Sequence, residues 1–176
     1  VSVESVGLYA FAGSGLTSIV IPENEVTNTA PVLAASYGGS SVFKNCENLA
    51  SVTLPDSLTT IGSEMFMGCK SLKTITLPAA LETIEQRAFK GSGLTSIVMP
   101  KGITKLLYGT SGSQAETFMN CAELTSVEFL GAVENIGEKV FANCVKLETV
   151  KFAGSENKAD GTIVFPKTLT KLYDRA

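Results

Sequence analysis

One phenylalanine returns through this chain at Phe11, Phe43, Phe66, Phe89, Phe118 and Phe141, at intervals of 32, 23, 23, 29 and 23 residues. A leucine keeps step with it at Leu16, Leu49, Leu72, Leu94, Leu124 and Leu147. Aligning Asp56–Pro78 with Ala79–Pro100 gives the template L-x-x-I-g-x-x-a-F-x-g-C-x-x-L-x-x-I-x-L-P. Two repeats carry Gly13-Ser14-Gly15 and Gly91-Ser92-Gly93 in place of the cysteine element and are one residue shorter. Self-similarity at this period is the signature of a stacked array. A unit of some two dozen residues has too few large apolar side chains to offset the entropy of ordering it alone. Neighbouring units supply the missing burial and backbone pairing, so the expected fold is a mainly-β repeat solenoid.

Local patterns assign the parts of each unit. The segment from Leu49 to Pro55 reads as a short strand: Val52 and Leu54 fall on one face by two-residue alternation, Ser51 and Thr53 on the other. Proline ends the strand because it has no N–H to give to a ladder. The L-x-x-I-G stretch, Leu58 to Gly62 in this unit, reads as a second short strand or extended turn on the opposite side. The a-F-x-g-C stretch reads as a tight helical turn whose phenylalanine plugs the core. The remainder is short turns.

The 176 residues form one domain by length, and 44% of them are apolar, which is enough for a sizeable core and excludes a disordered chain. Fourteen Lys and Arg stand against 17 Asp and Glu, for a net charge of −3. No basic stripe is available to neutralise phosphates, so nucleic acid is not an expected partner. No apolar run approaches the roughly 20 residues that span a bilayer, so no direct membrane insertion by this segment is expected. The opening Val1-Ser2-Val3-Glu4 is not a leader. It fits an intracellular protein or one whose leader has been removed.

Histidine is absent, which removes the commonest general base and metal ligand. Cys46, Cys69, Cys121 and Cys144 each sit three residues after a repeat phenylalanine. Stacked equivalents point the same way, which suits a ladder of buried free thiols acting as small apolar residues better than disulfides. Their linear spacing does not converge four ligands on one zinc ion. Gly109-Thr110-Ser111-Gly112-Ser113 lacks the lysine of a phosphate loop. Asp160-Gly161 reads as a turn rather than a calcium loop. No cofactor, metal or catalytic residue is assigned, and the chain reads as a non-enzyme.

The L-x-x-I-x-L-P and a-F-x-g-C elements, carried by Leu72, Ile75, Leu77, Pro78, Leu81, Ile84, Ala88 and Phe89 and their equivalents, resemble the BspA-type leucine-rich repeat family. The resemblance covers nearly the whole chain. It implies a right-handed leucine-rich-repeat coil with a parallel sheet on its concave side. It also implies a secreted or cell-surface bacterial protein, some relatives adhering to host proteins or cells, with no shared catalytic motif. Fold carries over from such a match more securely than function.

On that fold the outward rows of the concave face run Ser18, Ser51, Thr74, Ser96, Ser126, Thr149 and Val20, Thr53, Thr76, Val98, Glu128, Lys151. The candidate binding residues are Ser51, Thr53, Thr74, Thr76, Ser96, Val98, Ser126, Glu128, Thr149 and Lys151. Serine and threonine also simply suit exposed strand positions. Glu128 is the sole carboxylate on these rows, which argues against a paired-carboxylate glycosidase. Three insertions break the period, near 27–41, 107–117 and 153–162. Tyr37 and Tyr108, on the first two, are the alternative binding residues.

The whole of 1–176 is then a single domain of about six to seven repeats of roughly 23 residues. It begins within a repeat, at Val3-Glu4-Ser5-Val6-Gly7, and stops one residue short of a further phenylalanine, so a segment of a longer array is expected. The expected function is a non-catalytic cell-surface or secreted adhesion module with a protein partner, a host-matrix or cell-surface protein among the candidates. A passive structural spacer in a larger surface protein is the alternative, and a carbohydrate-active domain a remote one.

Overall fold

The computed structural model describes residues 5–23, 32–33, 41–106, 115–155, 162–173 and 176. Among the described residues twelve short strands follow one another: β1 (Ser5–Val6), β2 (Ser18–Val20), β3 (Val32–Leu33), β4 (Ser51–Thr53), β5 (Thr60–Ile61), β6 (Thr83–Ile84), β7 (Ser96–Met99), β8 (Lys105–Leu106), β9 (Ser126–Phe129), β10 (Asn135–Ile136), β11 (Thr149–Phe152) and β12 (Lys171–Leu172). All pairings are parallel and join equivalent places in neighbouring repeats. The Leu-to-Pro segments supply one series, β2–β4 and β7–β9–β11; the L-x-x-I-G segments supply the other, β1–β3, β5–β6 and β8–β10–β12. Every coil therefore turns back over the last, as a solenoid requires.

The six repeat phenylalanines form one continuous stack. Successive ring centroids from Phe11 to Phe141 lie 5.7, 5.6, 5.5, 5.4 and 5.6 Å apart, with planes within 15° of parallel. Phe43, Phe66, Phe89 and Phe118 are fully buried, together with Leu49, Leu72, Leu94 and Leu124. Offset stacking adds to the burial of each ring. A second stacked pair, Phe129 on Phe152 at 5.2 Å, is buried in the last coils, and the half-exposed Phe165 lies tilted against Phe152 at 6.0 Å.

The phenylalanine element is a turn, not the expected helical turn; no helix occurs among the described residues. The reason lies in the backbone. The residue two before each phenylalanine (Tyr9, Ser41, Glu64, Arg87, Glu116, Lys139) and the residue two after it (Gly13, Asn45, Gly68, Gly91, Asn120, Asn143) have positive φ. Left-handed residues four apart cannot lie within one right-handed helix. Instead, alternate amides reach the next coil: Ser41 N to Ser63 O at 2.9 Å, Phe43 N to Met65 O at 3.0 Å and Asn45 N to Met67 O at 2.7 Å.

The four cysteines are free and buried, but they are more than small apolar fillers. Each thiol donates to the carbonyl of the repeat phenylalanine one coil back: Cys46 to Phe11 O at 2.9 Å, Cys69 to Phe43 O at 3.2 Å, Cys121 to Phe89 O at 3.0 Å and Cys144 to Phe118 O at 3.1 Å. In the short repeats Ser14 and Ser92 hold the thiol's place and lie 3.4 Å from the sulfurs of Cys46 and Cys121.

Candidate functional site

The outward rows align as the two-residue alternation predicts. Ser96, Ser126 and Thr149 lie side by side, as do Val98, Glu128 and Lys151, while Ile97, Val127 and Val150 point inward and are buried. Ser18 is opposite Ser51, and Val20 opposite Thr53. A shallow hollow of about 210 Å³ sits on β7–β9–β11, with Ser96, Val98, Ser126, Glu128, Thr149 and Lys151 on its lining. The chain thus brings six of the ten candidate concave residues to one place. Tyr37 and Tyr108 lie outside the described residues.

Thr74 and Thr76 depart from the expected ladder: the Leu-to-Pro segment of the third coil is not a strand. Among the described residues, no backbone hydrogen bond joins Thr74–Leu77 to the second or the fourth coil. The concave sheet is thereby split into β2–β4 and β7–β9–β11. Proline removes a closing bond here but does not by itself split the sheet, because Pro22 and Pro55 hold the same places beside β2 and β4, which pair. Between the fourth and fifth coils the ladder closes with Leu130 N donating to Met99 O at 3.0 Å. At the corresponding positions of the third and fourth coils stand Pro78 and Pro100, which have no N–H to donate.

The split opens a cleft of about 560 Å³ between the third and fourth coils. Ile75, Leu77 and Ile97 give it an apolar floor; Thr74, Thr76 and Ser96 place hydroxyls on its walls, and Lys101 is the one charged lining residue among those described. Val98, 47% exposed, and Leu130, 44% exposed, stand on its rim. Ile75 and Leu77 look like core residues in the repeat template, so sequence reasoning missed them here. Leu130 carried a readable signal, since it occupies the place that Pro55, Pro78 and Pro100 hold in other coils.

Charge is organised at the phenylalanine turns instead. Glu64 receives Lys44 at 2.6 Å and lies 3.6 Å from Arg87; Glu116 receives Arg87 and Lys90, each at 2.8 Å. Burial acts to raise both carboxyls. For Glu64, the Lys44 hydrogen bond and the charges of Lys44 and Arg87 outweigh it; for Glu116, the hydrogen bonds from Lys90 and Arg87 do. Both are held below the ordinary carboxylate value. Every acid in this chain of contacts is neutralised, so it acts as a buttress between coils rather than as a proton donor. Three of the thiols are equally unsuited to nucleophilic work: burial pushes Cys69 and Cys144 up to about 12 and raises Cys121. Among the described residues, no three His, Cys, Asp or Glu side chains are grouped to hold a metal ion.

A family model of the BspA type leucine-rich repeat region matches six copies, over residues 1–110 and 36–165. The chain is similar in structure to a leucine-rich repeat protein from Bacteroides ovatus, with a TM-score of 0.58 and 26% identity. It covers 96% of this chain and 48% of the other. The T. pallidum leucine-rich repeat protein matches with a TM-score of 0.65 and 28% identity, over 85% of this chain and 66% of that one. A leucine-rich repeat protein from Eubacterium ventriosum, 23% identical with a TM-score of 0.50, shares the fold over 97% of this chain and 60% of its own. This chain thus spans about half the length of the first of these proteins and under two thirds of the third. No curated protein matches it.

Proposed function

The chain belongs to the BspA-type leucine-rich repeat family, and on that premise we propose that it is a non-catalytic protein-binding module of a secreted or cell-surface protein, engaging its partner through the concave face. The observation that carries this reading is the cleft beside the aligned outward rows. It is concave, floored by Ile75, Leu77 and Ile97, and bordered by hydroxyls and one charge. That is the composition of a recognition surface, with apolar area for affinity and a few polar groups for orientation. Chemistry has less to build on, because Glu128 is the sole carboxylate on the outward rows and Glu64 and Glu116 on the phenylalanine turns are ion-paired.

The test immobilises the chain and challenges it with extracts of extracellular matrix and of cell-surface proteins. A partner retained by the parent chain and lost by both a Thr53→Arg/Thr76→Arg variant and a Glu128→Arg/Lys151→Glu variant supports the reading. Circular dichroism and the denaturation midpoint establish that the variants are folded. Retention of nothing favours the spacer, and retention unchanged in both variants moves the site off the concave face.

A further inference from the structure

The cleft has a particular construction. At one end the third and fourth coils are tied, with Thr95 N donating to Lys73 O at 2.9 Å and Thr95 Oγ1 to the same carbonyl at 3.1 Å. At the other end they touch again, for a Cβ added to Gly102 would come within 2.5 Å of Leu81 O. Between these closures the backbone from Thr74 to Leu77 has no ladder partner, and the edge of β7 that faces it has none. Yet Phe66 and Phe89, on the far side of the same two coils, remain 5.5 Å apart. The opening is local to the concave face: Thr74–Leu77 is unpaired on both sides, while the rows β2–β4 and β7–β9–β11 flanking it are paired.

Unpaired backbone at a sheet edge is a template for another strand. We propose that this seam is a strand-addition site, which takes an extended peptide segment of the partner as an added parallel or antiparallel strand against β7 and the third coil. This rests on the concave-face reading above and names its ligand. Main-chain hydrogen bonds supply affinity in such complexes and pockets for alternate side chains supply specificity. The side chains follow from the lining. Alternate residues of the peptide point down onto Ile75, Leu77 and Ile97 and are apolar, β-branched ones being the best fit. The intervening residues face solvent. Lys101, the one described charge on the lining, selects an acidic residue at its end of the seam.

The experiment pans a phage-displayed library of random heptapeptides against the whole chain, then measures synthetic copies of the enriched sequences by fluorescence anisotropy. Enriched peptides are expected to alternate apolar residues and to carry an acid. Hydrogen exchange is expected to slow at Thr74–Leu77 and Ser96–Met99 on binding. N-methylation of a bonding peptide amide should weaken binding about tenfold, since one backbone hydrogen bond is worth about that much. Lys101→Glu should weaken acidic peptides and favour their lysine-bearing counterparts. No enrichment, binding indifferent to N-methylation at every position, or protection confined to other coils would each overturn strand addition. If one of these occurs while protein capture still depends on Glu128 and Lys151, the concave-face reading stands and its ligand is not a strand. If capture fails as well, both fall.

Discussion

Phe66 has a parallel ring on each side, Phe43 at 5.6 Å and Phe89 at 5.5 Å, and no exposed surface. Replacing it with alanine leaves a cavity that neither neighbour can fill without abandoning its own stack. Phe66→Ala is therefore expected to cost about 3–5 kcal/mol in a denaturant titration; a loss below about 1 kcal/mol would contradict the stack. Gly93 tests the opposite fault. A methyl group there would lie 1.9 Å from Lys70 O, on the backbone of the coil before. Gly93→Ala should destabilise by about 1–3 kcal/mol through overpacking. The cysteines make a chemical prediction. Burial removes access to all four, and at Cys69, Cys121 and Cys144 it also disfavours the thiolate, so none should react rapidly with a disulfide reagent at pH 8 until the chain is unfolded. Rapid labelling of the native protein would show the thiols to be accessible.

The phenylalanine turn is the element on which sequence reasoning and structure part. Its two left-handed positions follow different rules. Gly and Asn fill the one after the ring, as their tolerance of positive φ predicts. The one before it holds Glu64, Arg87 and Glu116, residues that carry no such signal. There the backbone cost is met by what the conformation does with the side chains: it aims them along the solenoid, where Lys44, Glu64, Arg87, Glu116 and Lys90 link four coils. The pH dependence has a definite sign. Glu64 and Glu116 have folded values below their unfolded ones, so their contribution is complete above about 4.3, the ordinary glutamate value, and is lost as pH falls through the folded values. Arg87→Met should lower stability at neutral pH and shrink the difference between pH 7 and pH 3. A variant with the parent's full pH dependence would show that the contacts do not hold the turn. Sequence alone could not place these groups, because partners 20 to 29 residues apart become neighbours only through the stacking register.

At the scale of the whole molecule, stability is shared between adjoining coils, so position along the array should matter as much as residue type. Phe11, 37% exposed, stacks on Phe43 alone among the described rings. Phe11→Ala should cost about half of what Phe66→Ala does; equal losses would argue against a nearest-neighbour array. The sequence by itself determined the repeat, the family, the two parallel strand series and the residues that point inward, because each depends on a short pattern that stacking merely copies. Only the tertiary structure decided where the copying fails. Pro78 and Pro100 are innocuous as strand ends when each repeat is read singly. Laid against neighbouring coils they withhold donors on both sides of one segment, as Pro22 and Pro55 do beside β2 and β4; yet β2 and β4 pair, while Thr74 and Thr76, which alternation assigned to the sheet, become the wall of a cleft. Whether a carbonyl finds an N–H across the coil boundary is a relation between residues far apart in the chain, and no local pattern encodes it.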